Sequence, residues 1–286
     1  MLTIAAAIAA RTSRIRIGTW VLLLPLHNPL RVAEDAATVD ILSNGRLDLG
    51  LGLGYRLEEF AAFGVDRRQR GRLMDEGIEL IRRAWTEESL TFAGQFYSVR
   101  DLNVTPKPVQ KPHPPLWLAA RGEVPARRAA RNRAGLLYLR GPATYQAYAD
   151  ALRVEGVDPA TMPVLSYRPC VISDDPDRTW AEIREHADYV ASLYDGWYGE
   201  AADLPGDADR LSSAAVPIDA RRPGYLIGTP DEIVAAIEES RRMVPFTHLI
   251  MPAVPPGMRP ADTTPWLERF AAEVIPRFQH ESQTGA

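Results

Sequence analysis

Hydrophobic and polar positions follow two periods along this chain, and between Asn28 and Gly64 one gives way directly to the other. Val32, Ala33, Ala36, Val39 and Ile41-Leu42 recur at helical spacing, which predicts an amphipathic helix over Pro29–Leu42. Asn28 supplies the cap, and Pro29 takes the first helical position, where a missing N–H costs nothing. Asn44-Gly45 tolerate the left-handed backbone that ends a helix. Leu47, Leu49, Leu51 and Leu53 then alternate with Asp48, Gly50, Gly52 and Gly54, so a strand over Arg46–Leu53 carries leucine on one face and mostly glycine on the other. A glycine row of this kind lets something large lie close to the backbone.

The same reading extends to the rest of the chain. Strands are expected at Arg14–Leu24, Leu116–Ala120, Gly135–Leu139, Met162–Ile172 and Thr247–Pro252. Helices are expected at Leu2–Ala10, Arg70–Trp85, Pro125–Asn132, Thr144–Val154, Asp177–Trp197, Asp231–Met243 and Trp266–Phe278. Leu90–Val104 reads as a hairpin excursion, and the proline-rich segment TPKPVQKPHPP as a rigid connection. Strands alternating with helices predict a parallel α/β fold, whose ligand loops sit at the carboxyl ends of the strands. One domain over residues 1–280 is expected, with residues 201–223 as an insertion or lid and 281–286 as a disordered tail.

Composition narrows the function classes. The 286 residues are 46% hydrophobic and 24% charged, with a formal net charge of -4. No apolar run approaches the roughly 20 residues that cross a bilayer, and Ala5–Ala10 ends at Arg11 without a cleavage-site pattern, so a cytoplasmic protein with no membrane partner is expected. The single cysteine, Cys170, reads as a buried strand residue in a reducing compartment. Arg127, Arg128, Arg131 and Arg133 form the densest basic cluster; on a helix they point to more than one side, which favours a solvated face over nucleic-acid binding. No HExxH, GxSxG or Walker loop occurs, no two histidines have metal-ligand spacing, and no metal site is expected. GLGLGY does not keep the GxGxxG spacing. Lys107 and Lys111, the only lysines, lie in the proline connection, which leaves a Schiff-base aldolase without its lysine. Of the histidines, His27 follows the first strand at the ligand end, His113 and His280 read as solvated, His186 as helical and His248 as the start of a strand. His27 and Tyr55 are the candidate catalytic residues; a turn-shaping role for His27 and a packing role for Tyr55 are the alternatives.

SRIRIGTWVLLLPLHNPLRVAED, LSNGRLDLGLGLGYRLEEFAAFGV, PKPVQKPHPPLWLAA and IGTPDEI, in that order, resemble the luciferase-like flavin- or deazaflavin-dependent oxidoreductases, which include bacterial luciferase and alkanesulfonate monooxygenases. The resemblance implies a TIM (β/α)8-type barrel. It makes Arg14–Leu24 the family's third strand, so this barrel is incomplete at the amino terminus, with about six of eight strands present and roughly 45 residues missing; a start internal to a longer natural chain is the expected cause, and a trimmed protein that hides its open edge in a partner is the alternative. It further implies that Thr19, Trp20 and Val21 face the flavin, with a non-proline cis peptide in Thr19–Leu23. Gly52, Gly54 and Tyr55 would line the cofactor loop, where Leu53 stands in place of the family's phosphate-binding arginine and Arg56 is the substitute, unless Arg56 simply pairs with Glu59. Ala120, Arg121 and Gly122 would complete the phosphate end at a helix start.

The function implied is that of a monooxygenase using reduced flavin (FMN), supplied by a flavin reductase, and oxygen on an apolar organic small molecule. A coenzyme F420-dependent hydride-transfer enzyme and a non-catalytic flavin-binding or degenerate barrel are the alternatives. A homodimer is expected from the family.

Overall fold

The computed structural model describes residues 1–138, 141–201, 218–252 and 254–279. The chain divides into two compact units, Met1–Met162 and Pro163–Ala286. The first unit runs α1 (Leu2–Arg11), β1 (Ile17–Gly18), β2 (Leu22–Leu23), α2 (Pro29–Leu42), β3 (Leu47–Gly52), α3 (Leu57–Ala62), α4 (Arg70–Thr86), the hairpin β4 (Leu90–Ala93) and β5 (Ser98–Leu102), β6 (Leu116–Ala120), α5 (Glu123–Arg131), β7 (Gly135–Tyr138) and α6 (Pro142–Val154). β1 and β2 both pair in parallel with β3, β3 with β6, and β6 with β7. Leu47, Leu49 and Leu51 are fully buried, as a leucine-faced strand under helices requires.

α2 keeps the expected boundaries, and the Asn28 side chain accepts from the Leu30 amide at 2.9 Å. Its buried face differs from the periodic reading. Ile41 and Leu42 are exposed, whereas Asp40 is fully buried. The Asp40 carboxylate accepts from the Val109 amide (2.8 Å), the Gln110 amide (2.9 Å) and Gln110 Nε2 (2.7 Å), so its burial is compensated by three donors from the proline connection. Arg46 binds the other end of the helix pair. Its guanidinium donates to the carbonyls of Ala9 (3.2 Å), Thr12 (2.7 Å), Ile15 (2.5 Å) and Ser43 (2.7 Å), closing the carboxyl end of α1 and fixing the turn into β1.

The expected strand Arg14–Leu24 is broken in two. Between β1 and β2 lie Thr19, Trp20 and Val21, and the Trp20–Val21 peptide is cis, within the segment where the family resemblance placed one. The segment leans onto β3. A Cβ on Gly50 would come within 2.0 Å of the Thr19 carbonyl oxygen, and one on Gly52 within 2.4 Å of Val21 Cγ2. The glycine row therefore serves close packing of the preceding segment, and the space read from the sequence as room for a ligand is filled by the protein's own residues 19 and 21. Gly54 has φ +75, which explains the third glycine.

The second unit contains β8 (Val164–Tyr167), β9 (Cys170–Ile172), α7 (Pro176–Ala201), a 3-10 turn at Ile218–Gly224, β10 (Leu226–Gly228), α8 (Pro230–Met243), β11 (His248–Ile250), α9 (Pro260–Arg269), a π turn at Phe270–Val274 and α10 (Ile275–Gln279). The single strand expected over Met162–Ile172 is also two. The Arg168 amide donates to Ile250 (2.9 Å) and the Leu226 amide to Pro169 (2.8 Å), so at Pro169, which has no N–H, the chain passes from one partner strand to another. β8 pairs with β11 and β9 with β10, both in parallel. Val171, Trp180, Ile183 and Ala187 form a buried cluster here, with Tyr225, Ile227 and Trp266 packed against it. Counting β1 and β2 as one interrupted strand, all six expected barrel-type strands occur among the described residues. β10 and α3 were not expected; each is too short for periodicity to register. Of the proposed lid, residues 202–217 lie outside the described residues, as does the tail 281–286.

Gly50→Ala is expected to destabilise the protein by about 3 kcal/mol or more, because the clash is with backbone. Gly196→Ala, inside α7 where a Cβ meets nothing within 4 Å, should raise stability by about 0.5–1 kcal/mol. Thermal unfolding midpoints of the two variants check both, and an unchanged midpoint for Gly50→Ala would contradict the packing.

Candidate functional site

The expected residues sit in the break between β1 and β2 and at or just after the carboxyl ends of β2, β3 and β6. Thr19 is buried, and its hydroxyl makes a reciprocal pair with one residue of β3: Oγ1 donates to the Gly50 carbonyl (2.7 Å) and accepts from the Gly50 amide (2.8 Å). A β-branched hydroxyl thus replaces the ladder that a continuous strand would have made. With its only hydroxyl proton given to the Gly50 carbonyl, Thr19 is a positioning residue. Trp20, beside it, keeps 39% of its surface exposed despite being a large aromatic. The Trp20–Val21 peptide is thus fixed between Thr19 on Gly50 and Val21 on Gly52.

Leu53, Gly54 and Tyr55 follow β3 and are half-buried. Arg56 pairs with Glu58 at 2.8 Å and, more loosely, with Glu59 at 3.6 Å, so the pairing expected with Glu59 is the secondary one. These contacts are partly exposed, and such pairs are worth about 0–1 kcal/mol.

At the end of β6, strand alternation separates two neighbours. Ala120 is fully buried on the helix-facing side, while Ala119 is half-buried on the face shared with Gly50 and Gly52. Of the two, Ala119 is the one a ligand at this end would meet. Gly122 caps α5 with no side-chain cap, which leaves the first-turn amides to other acceptors. Arg121 adjoins them, half-buried. The helix starts at Glu123, two residues before the expected Pro125. The basic cluster on it is not uniformly solvated: Arg128 is buried and binds Asp75 at 2.6 Å, whereas Arg127 pairs with Glu123 at the surface.

His27 follows β2 and a 3-10 turn, its ring 6.4 Å from Phe63. Burial pulls its pKa below the ordinary histidine value, so it is neutral at pH 7. His113 is not solvated as expected: it is half-buried, 5.8 Å from Trp85, and its pKa is likewise lowered by burial. His186 bonds the Pro256 carbonyl and His248 the Thr247 hydroxyl; His280 lies outside the described residues. The Cys170 thiol is buried and pushed up to about 12, far from a nucleophile's range. Arg46 and Asp40, which the pattern of the sequence did not mark, hold the site's supports in place rather than touching it. No group of three metal-ligating side chains and no helix able to cross a membrane occurs among the described residues.

The sequence model of the luciferase-like monooxygenase family matches residues 1–247. The chain belongs to that family. Among its relatives, the F420-dependent glucose-6-phosphate dehydrogenase of Amycolatopsis mediterranei is 31% identical over 292 residues, spanning 96% of this chain and 82% of the relative. The enzyme of the same name from Kineococcus radiotolerans is 30% identical over 291 residues, 94% of this chain and 80% of the relative. The crystal structure of the monooxygenase RslO1 from Streptomyces bottropensis superposes with a TM-score of 0.81 at 27% identity, covering 97% of this chain and 82% of that one. The fold is thus the luciferase-like α/β barrel type expected from the sequence, with six barrel-type strands described.

Thr19→Val removes both bonds to Gly50 at constant shape and should cost about 2 kcal/mol; Thr19→Ser, which keeps the hydroxyl, should cost less than half of that. Chemical denaturation of the pair checks this, and equal losses would show that the hydroxyl does not hold the segment.

Proposed function

We propose that this luciferase-like protein is an oxidoreductase that binds coenzyme F420 and uses it for hydride transfer with an organic small molecule. The observation that carries the reading is the Thr19–Val21 segment: an exposed Trp20 and a fixed main chain between the carboxyl end of β1 and β2, held by the Thr19 hydroxyl on Gly50. The two F420-dependent relatives, similar over nearly the whole chain, favour the deazaflavin over FMN. The deazaflavin, when bound, supplies the hydride chemistry, and few charged protein groups are then needed.

The residues present fit such a group. Trp20 and Val21 would support one face of the ring, and Tyr55 would border it. The α5 first turn, uncapped by any side chain, offers amide donors for a phosphate, with Arg121 beside it and Arg56 able to exchange its two glutamates for the same anion. His27, neutral at pH 7, is the nearest candidate for hydrogen bonding to substrate. Gly52 acts through the segment that it admits, Gly54 through the turn its positive φ allows, and Ala120 through the core. A homodimer fits the apolar outer face of α1, where Met1, Ile4 and Ile8 are exposed.

The second reading is a monooxygenase that takes reduced FMN from a flavin reductase, favoured by the likeness to RslO1. Titrating F420 and oxidised FMN separately by fluorescence quenching distinguishes the two. F420 should bind more tightly. Arg121→Ala should weaken it by about tenfold, the value of one charged hydrogen bond, and Leu53→Arg should tighten FMN if the phosphate lies between these strand ends. Tighter binding of FMN to the unaltered protein would replace the first reading with the second; binding of neither would remove both.

A further inference from the structure

Beside the strand ends just described, the first unit holds an open cleft of about 410 Å³, whose lining includes Leu26, His27, Val65, Asp66, Gln69 and Tyr97. That volume lies within the roughly 300–1,000 Å³ of small-molecule sites. Its walls are fixed by side chains bonded to backbone. Glu76 on α4 accepts from three successive amides, Gln95 (2.9 Å), Phe96 (2.9 Å) and Tyr97 (2.7 Å), and so pins the hairpin tip that carries Tyr97. Asp66 accepts from the Arg68 amide at 3.0 Å, which sets the turn carrying Gln69. Asn28 caps α2, fixing the exit of His27. Leu24 packs onto Gly77 of α4, where a Cβ would come within 3.1 Å. Walls held in this way reduce the ordering cost of binding.

The chemistry of the lining is selective. Neutral His27 can donate and accept. The Tyr97 phenol stays protonated, since burial and the Glu76 charge push its ionisation upward. Gln69 adds an amide, and Leu26 and Val65 give the apolar floor. Among the described residues lining the cleft there is no lysine or arginine, while Asp66 contributes a carboxylate. A phosphorylated ligand would meet a carboxylate in the lining and no arginine or lysine there.

We propose that this cleft takes the organic substrate, and that the substrate is an uncharged, largely apolar compound bearing hydroxyl groups, hydrogen-bonded by His27, Gln69 and Tyr97. This rests on the oxidoreductase reading above. The class differs from the sugar phosphate in the names of the two dehydrogenase relatives.

Phenol and phenyl phosphate, the same ring without and with a dianion, are titrated into the full chain while the imidazole resonances of His27, assigned with His27→Gln, are followed by NMR. Phenol should shift them saturably, and phenyl phosphate should bind more than about tenfold more weakly. Gln69→Ala, on an exposed turn, should weaken phenol about fivefold. Equal affinity for the two probes, or no saturable shift with phenol, overturns the proposal. F420 titrated into the same sample separates the failures: F420 binding without phenol binding sinks the cleft and spares the cofactor, whereas phenol binding without F420 binding sinks the cofactor reading and the substrate role with it.

Discussion

The close approach of residues 19–21 to β3 is the constraint on which the site depends. Two things make it possible: a hydroxyl at Thr19 that satisfies both backbone groups of Gly50, and the absence of side chains at Gly50 and Gly52. Without the first, buried backbone groups would lose their partners; without the second, the main chains could not come together at all. The consequence is local and mechanical. A strand is interrupted, Trp20 is turned outward, and the interruption is held by the two Thr19–Gly50 bonds.

Supports are arranged around this point in the same manner. Arg46 ties four carbonyls together at the entry to β1, Asp40 gathers the amides of the proline connection, and Glu76 gathers those of the hairpin tip. In each case one charged side chain, placed on a helix or at a strand start, fixes an irregular loop by bonding to backbone. Loops held by side chains in this way can carry binding groups with the precision of regular elements. A cofactor-dependent oxidoreductase needs this kind of support, because the protein's part is positioning rather than acid–base chemistry.

Much of the fold was legible because it rests on local pattern. Asn28-Pro29 marked the start of α2, leucine alternation marked β3, and the bounds of β6 followed from LWLAA. The family order of motifs then carried the barrel type and the place of the cis peptide. What escaped was set by partners distant in sequence. The glycine row reads from sequence as room for a ligand, yet its occupants are Thr19 and Val21, some thirty residues earlier. Asp40 sits in an apolar stripe because its donors come from residues 109 and 110. Arg128 looks like its solvated neighbours until Asp75 is placed beside it. His113 looks solvated in a proline connection until Trp85 covers it. The cleft beside His27 drew on four separate segments and left no mark in any one of them.

The central claim, that β3 lacks side chains at Gly50 and Gly52 in order to receive residues 19–21, is tested most directly by a double-mutant cycle between Gly52 and Val21. Alanine at 52 would meet Val21 Cγ2 at 2.4 Å, but the Cβ of residue 21 only at 3.4 Å, so truncating Val21 to alanine removes the clash. Gly52→Ala alone should lower stability by about 2–3 kcal/mol. Adding Val21→Ala should restore most of that loss, with a favourable coupling of at least about 1 kcal/mol. Strictly additive losses in the denaturation free energies of the four proteins would mean that the two residues do not meet, and would contradict the account.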